Sequence, residues 1–249
     1  MKLLAIDCST ERMSVALADG DLHWQHEGAG GAQASAALIP AIMGLLDEAQ
    51  LTLKELDAIA FGQGPGAFTG LRTACAVAQG LALGAKLRLL PIDSLLMLAH
   101  ASCSSNPSLR EAEQRSNPPS DRVLSVLDAR MGQVYVAAYS HSADGWRCLQ
   151  APSLCQPEAL VLPEEWQGQA FVLASNAHAT YQEAFASTLS QGGVAIDAWP
   201  QAVAMLDLAA LAHARGESVS PAEALPLYVR DKVALTSAER LAANVSRSA

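Results

Sequence analysis

Short apolar runs and longer helical patterns alternate through the first hundred residues. The run at 3–6 is continuous and apolar, which predicts a buried strand. Asp19-Gly20 is a strong hairpin signal within a meander of three strands. Pro40 lies inside a helical pattern and should bend that helix or mark its start. The predicted strands are 3–6, 14–18, 22–27, 56–61 and 87–90, and the predicted helices are 34–49, 67–85 and 93–101. Asp93-Ser94 is predicted to cap the third helix.

The same pattern restarts after a polar stretch with three prolines, which predicts a mobile boundary loop. The predicted strands of the second half are 123–127, 134–139, 146–149 and 170–173, and the predicted helices are 181–189 and 205–215. Two related α/β lobes are therefore expected. The predicted boundaries are an N-terminal lobe of 1–103, the loop 104–121, a C-terminal lobe of 122–221 and a polar tail of 231–249.

Composition excludes several classes of protein. The chain has 249 residues, of which 51% are hydrophobic and 16% are charged, so a disordered chain is excluded. Its net charge is −9 and it has no run of Lys or Arg, so tight autonomous binding to nucleic acid is not expected. The five cysteines are scattered, which favours buried thiols in a reducing cytosol over a zinc site. The N-terminal apolar stretch is too short for a signal peptide, and a cytoplasmic protein without a membrane partner is predicted.

Asp7-Cys8-Ser9-Thr10 follows the first predicted strand. Turn amides and hydroxyls next to an aspartate can hold a phosphate or a hydrated metal. Ser and Thr also commonly fill turns, so a capped turn explains the same residues. Spacing alone leaves both interpretations open.

A glycine-rich loop at 62–66 follows a strand and opens a helix. Glycine allows close backbone approach, and a helix N-terminus favours anions. Residues 62–67 match G-x-G-x-x-A by letter, but a dinucleotide fingerprint should follow the first strand of a βαβ unit. A phosphate-binding Walker A loop is excluded, because its lysine is missing.

The helix after this loop carries no charge from Thr73 to Ala85. A helix that is apolar on all sides needs cover on all sides, either from the chain's first helix or from another subunit. We favour a subunit interface, because exposed apolar patches usually mark partner sites. The predicted contact residues are Leu38, Ile42, Leu45, Phe68, Leu71, Ala74, Cys75, Ala78, Leu81 and Ala82.

Asp128-Ala129-Arg130-Met131-Gly132 ends a strand of the second half as Asp7 does in the first. It is either an Asp/Arg pair in a β-turn or a second loop facing the same cleft. The histidines show no metal-binding spacing, and no G-x-S-x-G nucleophile motif is present, so no metal site and no catalytic triad are predicted. The candidate residues of a degenerate nucleotide cleft are Asp7, Ser9, Thr10, Gly64, Gly66, Asp128 and Arg130.

Four segments of the chain read LLAIDCST, GQGPGAFTGLR, AVAQGLALGA and VLDARMGQVYVAAY. Together they resemble the TsaB (YeaZ) family, and the resemblance resumes at 222–230, a segment expected to pack back on the N-terminal lobe. The resemblance implies an α/β, actin-like ATPase (ASKHA) fold of two duplicated lobes with mixed sheets. It also implies a relation to the catalytic subunit TsaD and to glycoprotease-like proteins.

The resemblance further implies a role in tRNA modification. The chain would bind TsaD through helices at about 34–49 and 67–85 and activate it for threonylcarbamoyl transfer. The acceptor is the adenosine next to the anticodon of tRNAs reading ANN codons. The ATPase TsaE would join the heterodimer, tRNA would bind through the complex, and the isolated chain would form a homodimer.

This sequence departs from TsaD where TsaD carries a His-x-x-x-His metal pair. The matching positions are Ser94 and Leu98, and leucine has no donor atom for a metal. A histidine of many family members is also missing before the first helix, where Ala34-Ser35 stands. We therefore expect no catalytic residue, no metal, no required cofactor and at most weak ATP or ADP binding. The alternatives are an ATP-dependent enzyme or phosphotransferase using Asp7 and Asp128 and, with less support, a glycoprotease-like metallopeptidase.

Overall fold

The computed structural model describes residues 1–31, 33–103 and 121–230. The first sheet has the order β3-β2-β1-β4-β5. Strands β1, β2 and β3 pair antiparallel, whereas β4 and β5 run parallel to β1. The bounds are β1 Lys2–Asp7, β2 Arg12–Asp19, β3 Leu22–Ala29, β4 Ala58–Gly64 and β5 Arg88–Asp93.

The second sheet repeats this design, with the order β10-β9-β6-β7-β8. Its first three strands again pair antiparallel, and its last two run parallel to the first. The bounds are β6 Arg122–Arg130, β7 Gln133–Ser142, β8 Gly145–Cys155, β9 Phe171–Ser175 and β10 Gly193–Asp197. This duplication confirms the predicted pair of α/β lobes with mixed sheets.

Five α-helices occur in the described residues: α1 Ala34–Glu48, α2 Phe68–Ala85, α3 Ser94–Cys103, α4 Gln182–Leu189 and α5 Ala202–Ala214. Most predicted elements are right to within a few residues. Pro40 does not mark the start of α1, which begins six residues earlier. Strand β10 was missed, because it is a short edge strand whose residues are only partly buried.

Helices α1 and α2 cover one face of the first sheet. Their inward residues form one core with the sheet residues Leu4, Ile6 and Ile59. Burial of such side chains contributes about 1.5–3 kcal/mol each, so this face anchors both helices firmly.

The other face of the first sheet is covered by α5, which comes from the second half of the chain. Met205, Leu206 and Ala209 pack against Leu3 and Ala5. The prediction that residues 122–221 form the C-terminal lobe is therefore wrong for α5, which packs on the first lobe. Sequence distance gives no information on which sheet a helix covers, and α5 is apolar enough to be covered on most of its surface.

Helix α3 lies between the sheets, so the predicted boundary at 103 is also not a packing boundary. Leu95 and Leu98 pack on the second sheet, whereas Met97 packs on the first. The predicted cap at its start is confirmed, since Asp93 Oδ1 accepts the Leu95 N–H at 2.8 Å. Asp93 Oδ2 accepts the Tyr139 hydroxyl at 2.8 Å and links the sheets, while burial raises its pKa.

Residues 218–230, here called the strap, return to the first sheet. Val219 forms an antiparallel bridge with Leu89. Gln79 Nε2 donates to the carbonyl oxygens of Pro221 and Ala224, at 2.9 Å each. The predicted loop at 104–121, apart from its last residue, and the predicted tail at 231–249 lie outside the described residues. No helix among the described residues is long and apolar enough to cross a membrane.

Candidate functional site

A cavity of about 380 Å³ lies between the two sheets, where β1 and β6 end. Its walls come from the turn after β1, the start of α2, the end of β6 and the end of the strap. The residues that line it include Ser9, Thr10, Glu11, Gly66, Phe68, Gly70, Asp128, Arg130, Asn176, Tyr228 and Arg230. Five of the seven predicted cleft residues therefore meet here, whereas Asp7 and Gly64 lie behind the wall.

Asp7 is buried, with 1% of its surface exposed. Its Oδ2 accepts the Ser9 hydroxyl at 2.9 Å and the Ser9 N–H at 3.1 Å. Its Oδ1 has no partner among the described residues and lies against Gly62, where an added Cβ would collide with it. Burial raises the pKa of Asp7 to about 6. Asp7 thus holds the turn that follows β1 instead of facing the cavity.

The hydroxyl groups of this turn are also engaged inside the chain. Thr10 Oγ1 accepts the Arg12 N–H at 3.1 Å, and Ser9 Oγ donates to Asp7. A capped turn accounts for both hydroxyls, since Ser and Thr bond to nearby backbone in this way.

The glycine loop brings α2 onto this turn. A Cβ at Gly66 would collide with the Ser9 carbonyl oxygen, and a Cβ at Gly70 with that of Cys8. The Ala67 N–H donates to the Ser9 carbonyl oxygen at 2.7 Å. The close approach that these glycines permit is therefore to another part of the same chain.

Gly64 contacts the strap instead of the cavity. Its φ of 120° is unfavourable for a residue with a side chain. A Cβ there would also lie 2.7 Å from the Leu227 carbonyl oxygen.

Asp128 and Arg130 form the opposite wall of the cavity. Asp128 Oδ1 accepts the Arg130 N–H at 2.9 Å, and Arg130 Nη1 lies 3.5 Å from Asp128 Oδ2. Arg130 Nη2 lies 3.6 Å from Glu11 Oε2 on the first lobe. The two interpretations of this motif are thus compatible, because an Asp/Arg pair in a turn also faces the cavity.

Asn176 and Arg230 are among the cavity residues that sequence reasoning missed. Asn176 Oδ1 accepts the Asp128 N–H at 2.9 Å. Arg230 Nη2 donates to the Ala129 carbonyl oxygen at 3.1 Å and to Gln133 Oε1 at 2.8 Å. Neither residue lies in a periodic pattern. For Arg230, the one available signal was the family resemblance at 222–230.

The outer side of α1 and α2 is a second candidate site, and the structure corrects its residues. Phe68 is exposed and Leu81 is half-buried, but the other eight predicted contact residues belong to the chain's own core. Seven of these side chains pack with the first sheet and Leu71 is buried, so none of the eight is available to a second subunit. The eight residues wrongly predicted as contacts are Leu38, Ile42, Leu45, Leu71, Ala74, Cys75, Ala78 and Ala82.

A different set of apolar residues faces outward from both helices, here called the outer stripe. It consists of Ile39, Met43, Ala76, Gly80 and Leu83. The exposed fractions are 48% for Ile39, 43% for Met43 and 74% for Leu83. A Cβ added at Gly80 would meet no atom within 4 Å. Grouped exposed apolar side chains of this kind mark partner sites.

The two positions matched to the metal pair of TsaD lie inside α3. Ser94 and Leu98 are both fully buried, and Leu98 packs against the second sheet. In the three described ranges, no cluster of three His, Cys, Asp or Glu residues is suited to hold a metal ion.

Curated relatives match nearly the whole chain. The tRNA threonylcarbamoyladenosine biosynthesis protein TsaB of Haemophilus influenzae is 33% identical over 242 residues, covering 94% of this chain and 95% of the relative. The protein of the same name from Escherichia coli K12 is 30% identical over 238 residues, covering 94% and 96%. The chain belongs to the TsaB family. A family model described as TsaD, tRNA N6-adenosine threonylcarbamoyltransferase, also matches residues 29–242, which relates this TsaB-family chain to TsaD.

Solved structures agree with the family assignment. YeaZ from Pseudomonas aeruginosa has a TM-score of 0.77 and 35% identity, covering 91% of this TsaB-family chain and 99% of its own. A second structure, titled an uncharacterized protein with similarity to peptidase YEAZ from Pseudomonas aeruginosa, has a TM-score of 0.78 and 36% identity, covering 92% and 99%.

Proposed function

We propose that this chain is a non-catalytic subunit of tRNA threonylcarbamoyladenosine synthesis. It binds TsaD and activates it for transfer of the threonylcarbamoyl group to the adenosine next to the anticodon of tRNAs reading ANN codons. The names of the two full-length curated relatives support the pathway, and the match to the TsaD model supports a pairing between related folds.

The outer stripe carries this proposal. It places large apolar side chains in solvent on two adjacent helices, and α2 has no charge from Thr73 to its end at Ala85. Burial of this surface against a partner would be favourable by about 25 cal/mol per Å². TsaD is the proposed occupant, and a second copy of this chain takes the same surface when TsaD is absent.

Local geometry supports a role without catalysis. Ser94 and Leu98 are buried core positions, and leucine cannot ligate a metal. In the turn after β1, the Ser9 hydroxyl donates to Asp7 and the Thr10 hydroxyl oxygen accepts the Arg12 N–H. These bonds would have to break before the same groups could serve a substrate.

The cavity is the proposed place of weak ATP or ADP binding, and no cofactor is required. Arg130 and Arg230 line it, but Asp128 and Glu11 lie beside Arg130 and oppose a phosphate. Titration calorimetry with Mg-ATP tests this. Heat of binding at millimolar nucleotide supports the weak site, whereas no heat removes it.

TsaE joins the TsaD-bound form in this proposal, and tRNA binds through the complex, as expected for a chain of net charge −9. These steps are proposed to take place in the cytoplasm.

Reconstitution tests the proposal. TsaD, TsaE, threonylcarbamoyl-adenylate and unmodified tRNA are combined with and without this chain, and the modified nucleoside is measured. We expect modification only when the chain is present. Equal yields without it would contradict a partner role.

A further inference from the structure

Arg72 is the one charged residue in the sequence of α2, residues 68–85. It shares the outward side of the helix with Ala76, Gly80 and Leu83, at spacings of four, four and three residues. The apolar stripe therefore ends in a single cation on the side of the cavity.

The guanidinium group of Arg72 is held in a fixed position. It lies 3.7 Å from the centroid of the Phe68 ring, within the range of a cation–π contact. Its Nε donates to the hydroxyl oxygen of Tyr228 at 2.9 Å. The two rings lie 5.3 Å apart, so they flank one side of the arginine as a pair.

The strap fixes Tyr228 in turn. The N–H of Leu227 donates to the Gln63 carbonyl oxygen at 2.7 Å, immediately before Tyr228. Two residues later, Arg230 donates to the carbonyl oxygen of Ala129 and to Gln133 on the second lobe. The tyrosine is thus anchored on both sides, which limits the motion of the arginine it contacts.

Neither terminal nitrogen of Arg72 has a partner within the described part of the chain. Neither Nη makes a hydrogen bond or ion pair with these residues, although Nε does. A planar guanidinium with its outer N–H groups unused matches the geometry of a carboxylate. Because the side chain is already ordered, less rotamer entropy is lost on binding.

We propose that Arg72 is the polar anchor of the subunit interface and binds a carboxylate side chain of TsaD. This rests on the proposed function, which supplies TsaD as the occupant of the outer stripe. Charge complementarity favours an acidic protein group here. An RNA backbone would need several cations on one surface, whereas the rest of the stripe carries no charge.

Affinity for TsaD tests the proposal. We expect Arg72→Ala to weaken binding about 10- to 100-fold, as for an arginine that anchors an interface. Arg72→Lys should recover only part of this loss, because lysine lacks the planar fork. Wild-type affinity should fall with added salt, and Arg72→Ala should reduce that dependence.

Tyr228 is a positioning residue in this account. Tyr228→Phe keeps the ring but removes the acceptor of the Nε hydrogen bond, so we expect a loss of about threefold to tenfold, within the range for one hydrogen bond. In the Arg72→Ala background this second change should have no further effect on affinity, because the arginine that Tyr228 orients is gone.

Arg147→Ala is the matched control. Arg147 is an exposed arginine on β8 that lies 2.6 Å from Glu165, away from α1 and α2. We expect affinity for TsaD to stay unchanged. Circular dichroism on each variant checks that the chain remains folded.

Leu83→Asp separates this inference from the proposed function. If Leu83→Asp abolishes binding to TsaD while Arg72→Ala leaves it unchanged, the interface stands and the anchor is refuted. If neither change affects binding, the proposed interface itself is wrong. If Arg72→Ala leaves binding to TsaD intact but weakens tRNA binding by the assembled complex, the anion is a phosphate and the inference is overturned.

Discussion

Two regions of the molecule differ in whether their side chains have partners within the chain. One is the cavity between the sheets, and the other is the outer side of α1 and α2. At the cavity, Ser9 and Thr10 bond within their own turn, and Arg130 pairs with Asp128 and Glu11. On the outer side, Leu83 lies in solvent and the terminal nitrogens of Arg72 have no partner among the described residues. At the position that resembles an enzyme cleft, these polar groups are bonded within the chain, whereas the helical surface has unmet contacts. This difference supports the proposal that the chain works by binding a partner at its surface.

The largest expected effect comes from Leu83→Asp on the outer stripe. A carboxylate in the middle of a buried apolar contact would be desolvated without a partner. We expect affinity for TsaD to fall more than about 100-fold, which corresponds to about 2.7 kcal/mol. Isothermal calorimetry measures this.

Val161→Asp is the control, since Val161 is an exposed apolar residue in the second half of the chain. If Leu83→Asp and Val161→Asp bind TsaD equally well, the outer stripe is not the surface that binds TsaD.

The next effect concerns Asp7 and its pH dependence. The pKa of Asp7 is about 6 in the folded chain, whereas an aspartate in an unfolded chain has its ordinary pKa of about 3.8. The folded state therefore binds more protons than the unfolded state in this window, and the contribution of Asp7 to stability is lost as pH rises from about 4 to about 6. The size is about 2–3 kcal/mol, because each pKa unit is worth 1.36 kcal/mol.

Asp7→Asn should remove this loss. We expect the variant to gain stability over the wild type at pH 7 but not at pH 4, measured by urea unfolding at both pH values. Ser9→Ala serves as a comparison, because it removes a bond to Asp7 and leaves the carboxylate buried. If the unfolding free energies of Asp7→Asn and wild type differ by the same amount at both pH values, the pKa of Asp7 is not raised in the folded chain.

The smallest effect is expected at the lobe-to-lobe ion pair. Arg130→Ala removes the contacts with Glu11 and Asp128 at 3.6 and 3.5 Å. Arg130 and Glu11 are exposed, so the change in unfolding free energy should be below about 1 kcal/mol. Thermal unfolding and TsaD affinity should both stay close to wild type. A large loss of TsaD affinity would move the functional site toward the cavity.

Sequence patterns predicted the helices and strands better than they predicted what each of these elements packs against. Apolar runs located the central strands, and Asp93 was identified as a helix cap. The two sides of α2 could not be separated, because both are small and apolar: Ala74 and Ala78 face the sheet, whereas Ala76 and Gly80 face outward. Only contact with the sheet distinguishes them. The same limit placed α5 on the wrong lobe, since packing partners far apart in sequence leave no local signal.

The candidate cleft was predicted in part for a similar reason. Ser9 and Thr10 follow the end of β1, and Asp128 lies near the end of β6. A loop facing the same cleft was one of the two interpretations of the Asp128 motif, and these residues do line one cavity. Their internal hydrogen bonds depend on side-chain orientation, which the order of residues does not encode. The strap was found only through the family resemblance, because 218–230 has no periodicity.

The most direct test of the outer stripe against the cavity is the yield of modified nucleoside in the reconstituted system. Leu83→Asp and Asp128→Asn are assayed side by side with TsaD, TsaE, threonylcarbamoyl-adenylate and tRNA, at subunit concentrations near the wild-type dissociation constant. We expect Leu83→Asp to lower the yield more than about tenfold, and Asp128→Asn to stay within about twofold of wild type, because asparagine can still accept the Arg130 N–H. The opposite result, a loss with Asp128→Asn and none with Leu83→Asp, would contradict a function carried by the surface.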